Sequence, residues 1–99
     1  MFARVTMFES DPSKADENVR YYRETVVPQA QDIDGFRGAM ALVDRAGGTT
    51  LTVTFWHDDV SMKASEDQGA RLRAQAATDL GFGTPTVERY EVAYAELQV

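Results

Sequence analysis

The feature that most constrains this chain is a strand-like run with bulk on both of its sides. Between Thr49 and His57, Leu51, Val53 and Phe55 fall on one face of an extended backbone, while Thr52, Thr54 and Trp56 fall on the other, since successive side chains of a strand point oppositely. A sheet covered on one face alternates bulky and polar positions. This run therefore asks for cover on both faces. Thr86 to Leu97 reads as a second such strand, with Tyr90, Val92 and Tyr94 on one side and Val87 and Leu97 on the other.

The punctuation between apolar runs sets the order of elements. Phe2 to Glu9 alternates as a first strand. Asp11 is placed to cap a helix that has Pro12 at its first position, where the missing N–H costs nothing. Ala15, Val19, Tyr22, Val26 and Ile33 follow at near-helical spacing. Pro28 interrupts that helix, so a kink or end is expected near Val27, with a short continuation to Asp32. Gly35 restarts the chain. Phe36 to Asp44 and Thr49 to His57, joined through Arg45-Ala46-Gly47-Gly48, predict a β-hairpin. Asp58 or Asp59 caps a helix starting near Val60, and Ser65-Glu66-Asp67-Gln68 resembles a second capping box, so two helical pieces are expected. Leu72, Ala76 and Leu80 supply the buried stripe of the second piece, and Gly81, Gly83 and Pro85 end it. The order β-α-β-β-α-β predicts an α+β, ferredoxin-like fold: two helices over one face of a four-stranded antiparallel sheet. Second copies of the chain are the expected cover for the other face.

Size and charge narrow the function classes. With 99 residues the expectation is one domain spanning 1–99, with a modest core that association would complete. No cysteine is present, which removes disulfides, thiolate metal sites and a thiol nucleophile, and makes cytoplasm the expected compartment. No run resembles a signal peptide or a membrane span. A net charge of -6 repels phosphate, so neither nucleic acid nor membrane is an expected partner.

The element order, the run Ile33-Asp34-Gly35-Phe36-Arg37-Gly38, and Val53-Thr54-Phe55-Trp56-His57-Asp58-Asp59 leading to Met62 together resemble the antibiotic biosynthesis monooxygenase-like proteins. That resemblance implies a dimeric α+β barrel in which two sheets pack face to face, with a ligand pocket between each sheet and its own helices. It implies either a cofactor-independent oxygenase acting on electron-rich, aromatic polyketide-like substrates or a non-catalytic homodimer with the same pocket. Haem-degrading members of the family use an Asn in the first strand and a Trp and an iron-binding His in the second helix. Here Arg4, Val5 and Thr6 occupy the strand, and Ser65 and Gln75 stand near the helical positions. Neither haem, another cofactor nor a metal is therefore expected.

Four residues stand out as pocket candidates. Arg4 sits in a strand that should be central, where an uncompensated charge is costly. It needs either an anionic ligand group or an acid such as Glu91. Tyr22 belongs to the first helix's apolar stripe and brings one phenol hydroxyl. Trp56 offers a flat face and an indole N–H, or simply core packing. His57, beside Asp58 and Asp59, offers an acid-base pair, or a solvated strand end.

Overall fold

The computed structural model describes residues 1–98. Its strands are β1 (Phe2–Glu9), β2 (Phe36–Asp44), β3 (Thr49–Trp56) and β4 (Thr86–Glu91). They form one antiparallel sheet in the order β2-β3-β1-β4. The expected α+β, ferredoxin-like arrangement is thus the observed one, with β1 and β3 in the centre and β2 and β4 at the edges.

The first helical segment begins with a 3-10 turn (Pro12–Lys14), in which the Asp11 carboxylate accepts from the Ser13 N–H at 2.9 Å. It continues through α1 (Ala15–Tyr21), a π-helical turn (Tyr22–Val26) and α2 (Val27–Ala30). Pro28 brings no N–H to the ladder. Just before it the ladder shifts by one residue, and the Val27 N–H donates to the Tyr22 carbonyl, five residues back. The interruption expected at Pro28 is thus a π turn, and the helix closes at Ala30 rather than continuing to Asp32. α3 (Asp59–Ala64) opens on Asp58, which forms a reciprocal capping box with Ser61. α4 (Glu66–Leu80) follows after one residue and ends on Gly81 in the left-handed region, at φ 75°. The expected capping box at Ser65 is not formed, because the Ser65 hydroxyl donates to the Met62 carbonyl and accepts from Arg4.

Register decides which residues share a face. Arg4 lies opposite Thr54 and Arg89, and Thr6 opposite Thr52 and Val87. These positions, with Phe8 and Trp56, look toward the helices. The opposite face carries Ala3, Val5, Met7, Met40, Leu42, Leu51, Val53, Phe55 and Tyr90. Its apolar surface stays open within one chain, with Leu42 47% and Tyr90 53% exposed. The long final strand expected to Leu97 stops at Glu91. Register gives the reason: Glu91 pairs with Phe2, and Val92 reaches Met1 through one backbone hydrogen bond of 2.8 Å. Beyond it no backbone pairing to β1 follows among the described residues, and Tyr94 and Leu97 stand exposed. No helix among the described residues is long and apolar enough to cross a membrane.

The end of α4 permits a clean test of backbone strain. A Cβ on Gly81 would meet nothing within 4 Å, so the only cost of Gly81→Ala is the left-handed conformation, about 1 kcal/mol. Gly83→Ala, where φ is not positive and space is equally open, should move the urea midpoint much less.

Candidate functional site

Between sheet and helices lies a cavity of about 70 Å³, room for several water molecules on the scale of one probe sphere each. Small residues create it. α4 turns Gly69 and Ala76 toward the sheet, α2 contributes Ala30, and the sheet answers with Thr6, Thr52 and Thr54. A helix with Leu at those positions would close the gap, as close-packed interiors ordinarily do. Phe8 and Phe82 stack at 4.1 Å at one side, bringing the segment after α4 against β1.

Arg4 is the central charge of the cavity and is only 4% exposed. Its Nη2 donates to the Met62 carbonyl at 2.8 Å, to Ser65 Oγ at 2.7 Å and to Glu66 Oε1 at 3.1 Å. Its Cζ stands 5.3 Å from the centroid of the Trp56 ring, within the range of a cation–π attraction. The expected acid Glu91 is not the partner. Glu91 lies across from Phe2, two residues out of register, while Glu66 arrives from the start of α4. Arg89 of β4 holds the same carboxylate through Nε and Nη2, at 2.7 and 2.6 Å. The Arg89 hydrogen bonds, aided by Arg4 and opposed by partial burial, hold the Glu66 carboxyl down at about 2.

Of the four candidates, Arg4, Tyr22 and Trp56 line this one cavity, and His57 does not. His57 is exposed at the end of β3, where its backbone N–H donates to the Gly35 carbonyl at 2.7 Å. Tyr22 is buried and its hydroxyl donates to the Val53 carbonyl at 3.1 Å. Burial raises its pKa, so it serves as a neutral donor. Neighbouring Tyr21 lies at the cavity's rim and donates to Asp79 at 2.6 Å. Burial and that carboxylate push it up to about 12. The Trp56 indole N–H donates to Thr54 Oγ1 at 3.0 Å.

Sequence reasoning missed Asn18 and Arg73. Asn18 is 2% exposed and its Nδ2 donates to Ser10 Oγ at 2.8 Å, leaving Oδ1 without a partner. It sits four residues before Tyr22, and a polar residue on an apolar stripe was the available signal. It displaces Val19, which is only half buried. Arg73 lines the cavity from α4 beside Leu72. The lining contains no carboxylate, imidazole or thiol. Among the described residues, no group of three His, Cys, Asp or Glu side chains is placed to hold a metal ion.

The architecture has close counterparts. A monooxygenase from the ActVA-Orf6 gene of Streptomyces coelicolor, solved in complex with nanaomycin D, superposes with a TM-score of 0.76 at 19% identity over 99% of this chain and 92% of that one. The haem-degrader MhuD of Mycobacterium tuberculosis, solved with two haems in its active site, gives 0.71 at 16% identity over 97% and 99%. The fold is that of the antibiotic biosynthesis monooxygenase-like proteins. No model of a known protein family matches the sequence. Two proteins of M. tuberculosis H37Rv, Rv2557 and Rv2558, both described as uncharacterised, are 33% identical over 93 residues, or 94% of this chain. The chain spans only 41% and 39% of their lengths.

The Glu66 cluster makes stability depend on pH. Its folded pKa of about 2 lies below the ordinary 4.5. The carboxylate therefore contributes fully above the ordinary value and loses its contribution as pH falls through that window. The urea midpoint of the native chain should drop faster than that of Glu66→Gln between about pH 5 and pH 2, and the two curves should converge in acid.

Proposed function

We propose that this chain is a small-molecule-binding protein whose cavity between sheet and helices takes a planar aromatic ligand. The observation that carries this reading is the convergence of Arg4, Tyr22 and Trp56 on one cavity, two of whose lining residues, Arg4 and Asn18, each also carry a buried polar atom without a partner, Nε and Oδ1. Buried polar groups are nearly always satisfied, and a ligand with both an acceptor and a donor would satisfy these two. An apolar enclosure with a few directed polar groups is the usual build of a ligand site. Tyr22, already committed to Val53, shapes the wall.

A second reading, oxygenation of the bound aromatic without a cofactor, draws support from Arg4. Its charge stands over Trp56 where an enolate-like anion would be stabilised. The lining offers no carboxylate or imidazole to take a proton, so on this reading the ligand supplies its own acidity. His57 lies outside the lining and has no part in either reading.

The functional unit in this proposal is a homodimer, with a second copy covering the open sheet face and the exposed residues beyond β4. One domain per chain and a cytoplasmic setting complete the picture, with neither nucleic acid nor membrane as a partner. Light scattering at micromolar concentration should report twice the 11.0 kDa chain mass, and Met7→Glu on the open face should halve it. A stable 11.0 kDa species for the native chain would overturn the dimer.

For the pocket, hydroxylated naphthoquinones should quench the fluorescence of Trp56, the single tryptophan, saturably. Ala76→Leu fills the gap from a helix position that favours Leu over most residues. It should weaken binding about tenfold or more, about 1.4 kcal/mol, without loss of thermal stability. Quenching that never saturates, or that Ala76→Leu leaves untouched, removes the cavity as the site. Oxygen uptake that needs both ligand and native protein, and is lost in Ala76→Leu, would decide for oxygenation over binding alone.

A further inference from the structure

A chain with net charge -6 has built a cationic end into the mainly apolar cavity between its sheet and helices. Arg4 uses Nη2 for all of its hydrogen bonds, leaving Nε and Nη1 uncommitted. Arg73 lines the same cavity and has no hydrogen-bond or ion-pair partner among the described residues. Both guanidinium groups close on one point above Gly69. A Cβ there would lie 2.9 Å from Arg4 Nη1 and 3.3 Å from Arg73 Nη1. The only carboxylate nearby, Glu66, is held by the Arg89 fork and by Arg4 Nη2, and it lies outside the cavity lining. One negative charge thus stands among three arginines.

Such an arrangement costs stability unless something offsets it. Two cations brought together over a buried surface repel, and burial together with the Arg4 charge lowers the Arg73 pKa. Gly69 adds to the cost, since Gly in a helix interior is about 1 kcal/mol worse than Ala. The absent side chain is what lets the two Nη1 atoms come this close to the helix at the cavity wall.

We infer that this end of the cavity is a carboxylate subsite, in which Arg4 and Arg73 together grip the acid group of a planar aromatic ligand. A carboxylate suits the geometry because its two oxygens can each take N–H donors, and guanidinium–carboxylate hydrogen bonds are the strong, directional kind. The apolar lining along Leu72, Val26 and Phe8 then holds the ring system, and the Asn18 amide oxygen takes a donor at the far end. This inference rests on the cavity being the ligand pocket, and specifies the ligand's class within it.

The test compares 2-naphthoate with its neutral isostere 2-naphthamide by calorimetry on the full chain. The acid should bind at least tenfold more tightly than the amide. Arg73→Gln, a change at a half-buried helix position, should remove most of that preference. Gly69→Ala should reduce binding of the acid while the helix keeps or gains stability, which separates a blocked subsite from an unfolded one. Equal affinity for the two ligands, or a preference that survives in both Arg73→Gln and Gly69→Ala, overturns the carboxylate subsite and leaves the aromatic pocket standing. Binding of neither compound overturns both.

Discussion

The structure turns on a guanidinium placed in the middle of a sheet. Arg4 occupies a central strand and faces the helices at 4% exposure, where an unpaired charge would be prohibitive. Its solution recruits the short join between α3 and α4. The Met62 carbonyl, the Ser65 hydroxyl and the Glu66 carboxylate all turn toward one nitrogen. That use explains why the helix breaks where it does, and why Ser65 sits at a helix junction without capping it. Arg89, directly opposite Arg4 in register, then anchors Glu66 from the far strand. Two like charges abreast on neighbouring strands would repel, and the shared carboxylate relieves this.

The same placement keeps the helices off the sheet. A long charged side chain needs space beside it, and Gly69 and Ala76 on α4 provide it. The cavity is therefore a consequence of the way the buried charge is accommodated. Its walls are apolar, its donors are partly unspent, and its only firm anion has been placed at the edge. Enclosure in a low-dielectric space strengthens any charge interaction made there, so what enters is selected by charge as well as by shape.

Much of this fold was legible in the sequence, for local reasons. Asp11-Pro12, Pro28, the Gly47-Gly48 turn and the Gly81 stop each act through backbone geometry that needs no knowledge of neighbours. Bulk on both faces of β3 marked the second sheet surface. The end of β4 was less accessible: alternation runs on to Leu97, but pairing depends on where β1 begins, a fact of register. The candidate site was half legible. Arg4, Tyr22 and Trp56 declared themselves as a charge in a strand, a phenol on a stripe and a tryptophan in a run. Arg73 looked like one of several arginines on a polar helix, and only the tertiary approach of α4 to β1 reveals it. Partner choice failed similarly, because Glu91 and Glu66 are equally plausible acids until the register places one of them two residues away.

The claim that a buried arginine with unused donors defines a ligand pocket is tested most directly by the Nε–H resonance of Arg4. In a nitrogen-15-labelled sample titrated with 2-naphthoate, that resonance should move progressively and saturate, together with the Trp56 indole N–H. Amides of Leu42 and Tyr90 on the open sheet face should stay in place. An Arg4 Nε–H that is unchanged while the open-face amides shift would place the ligand on the wrong side of the sheet and contradict the account.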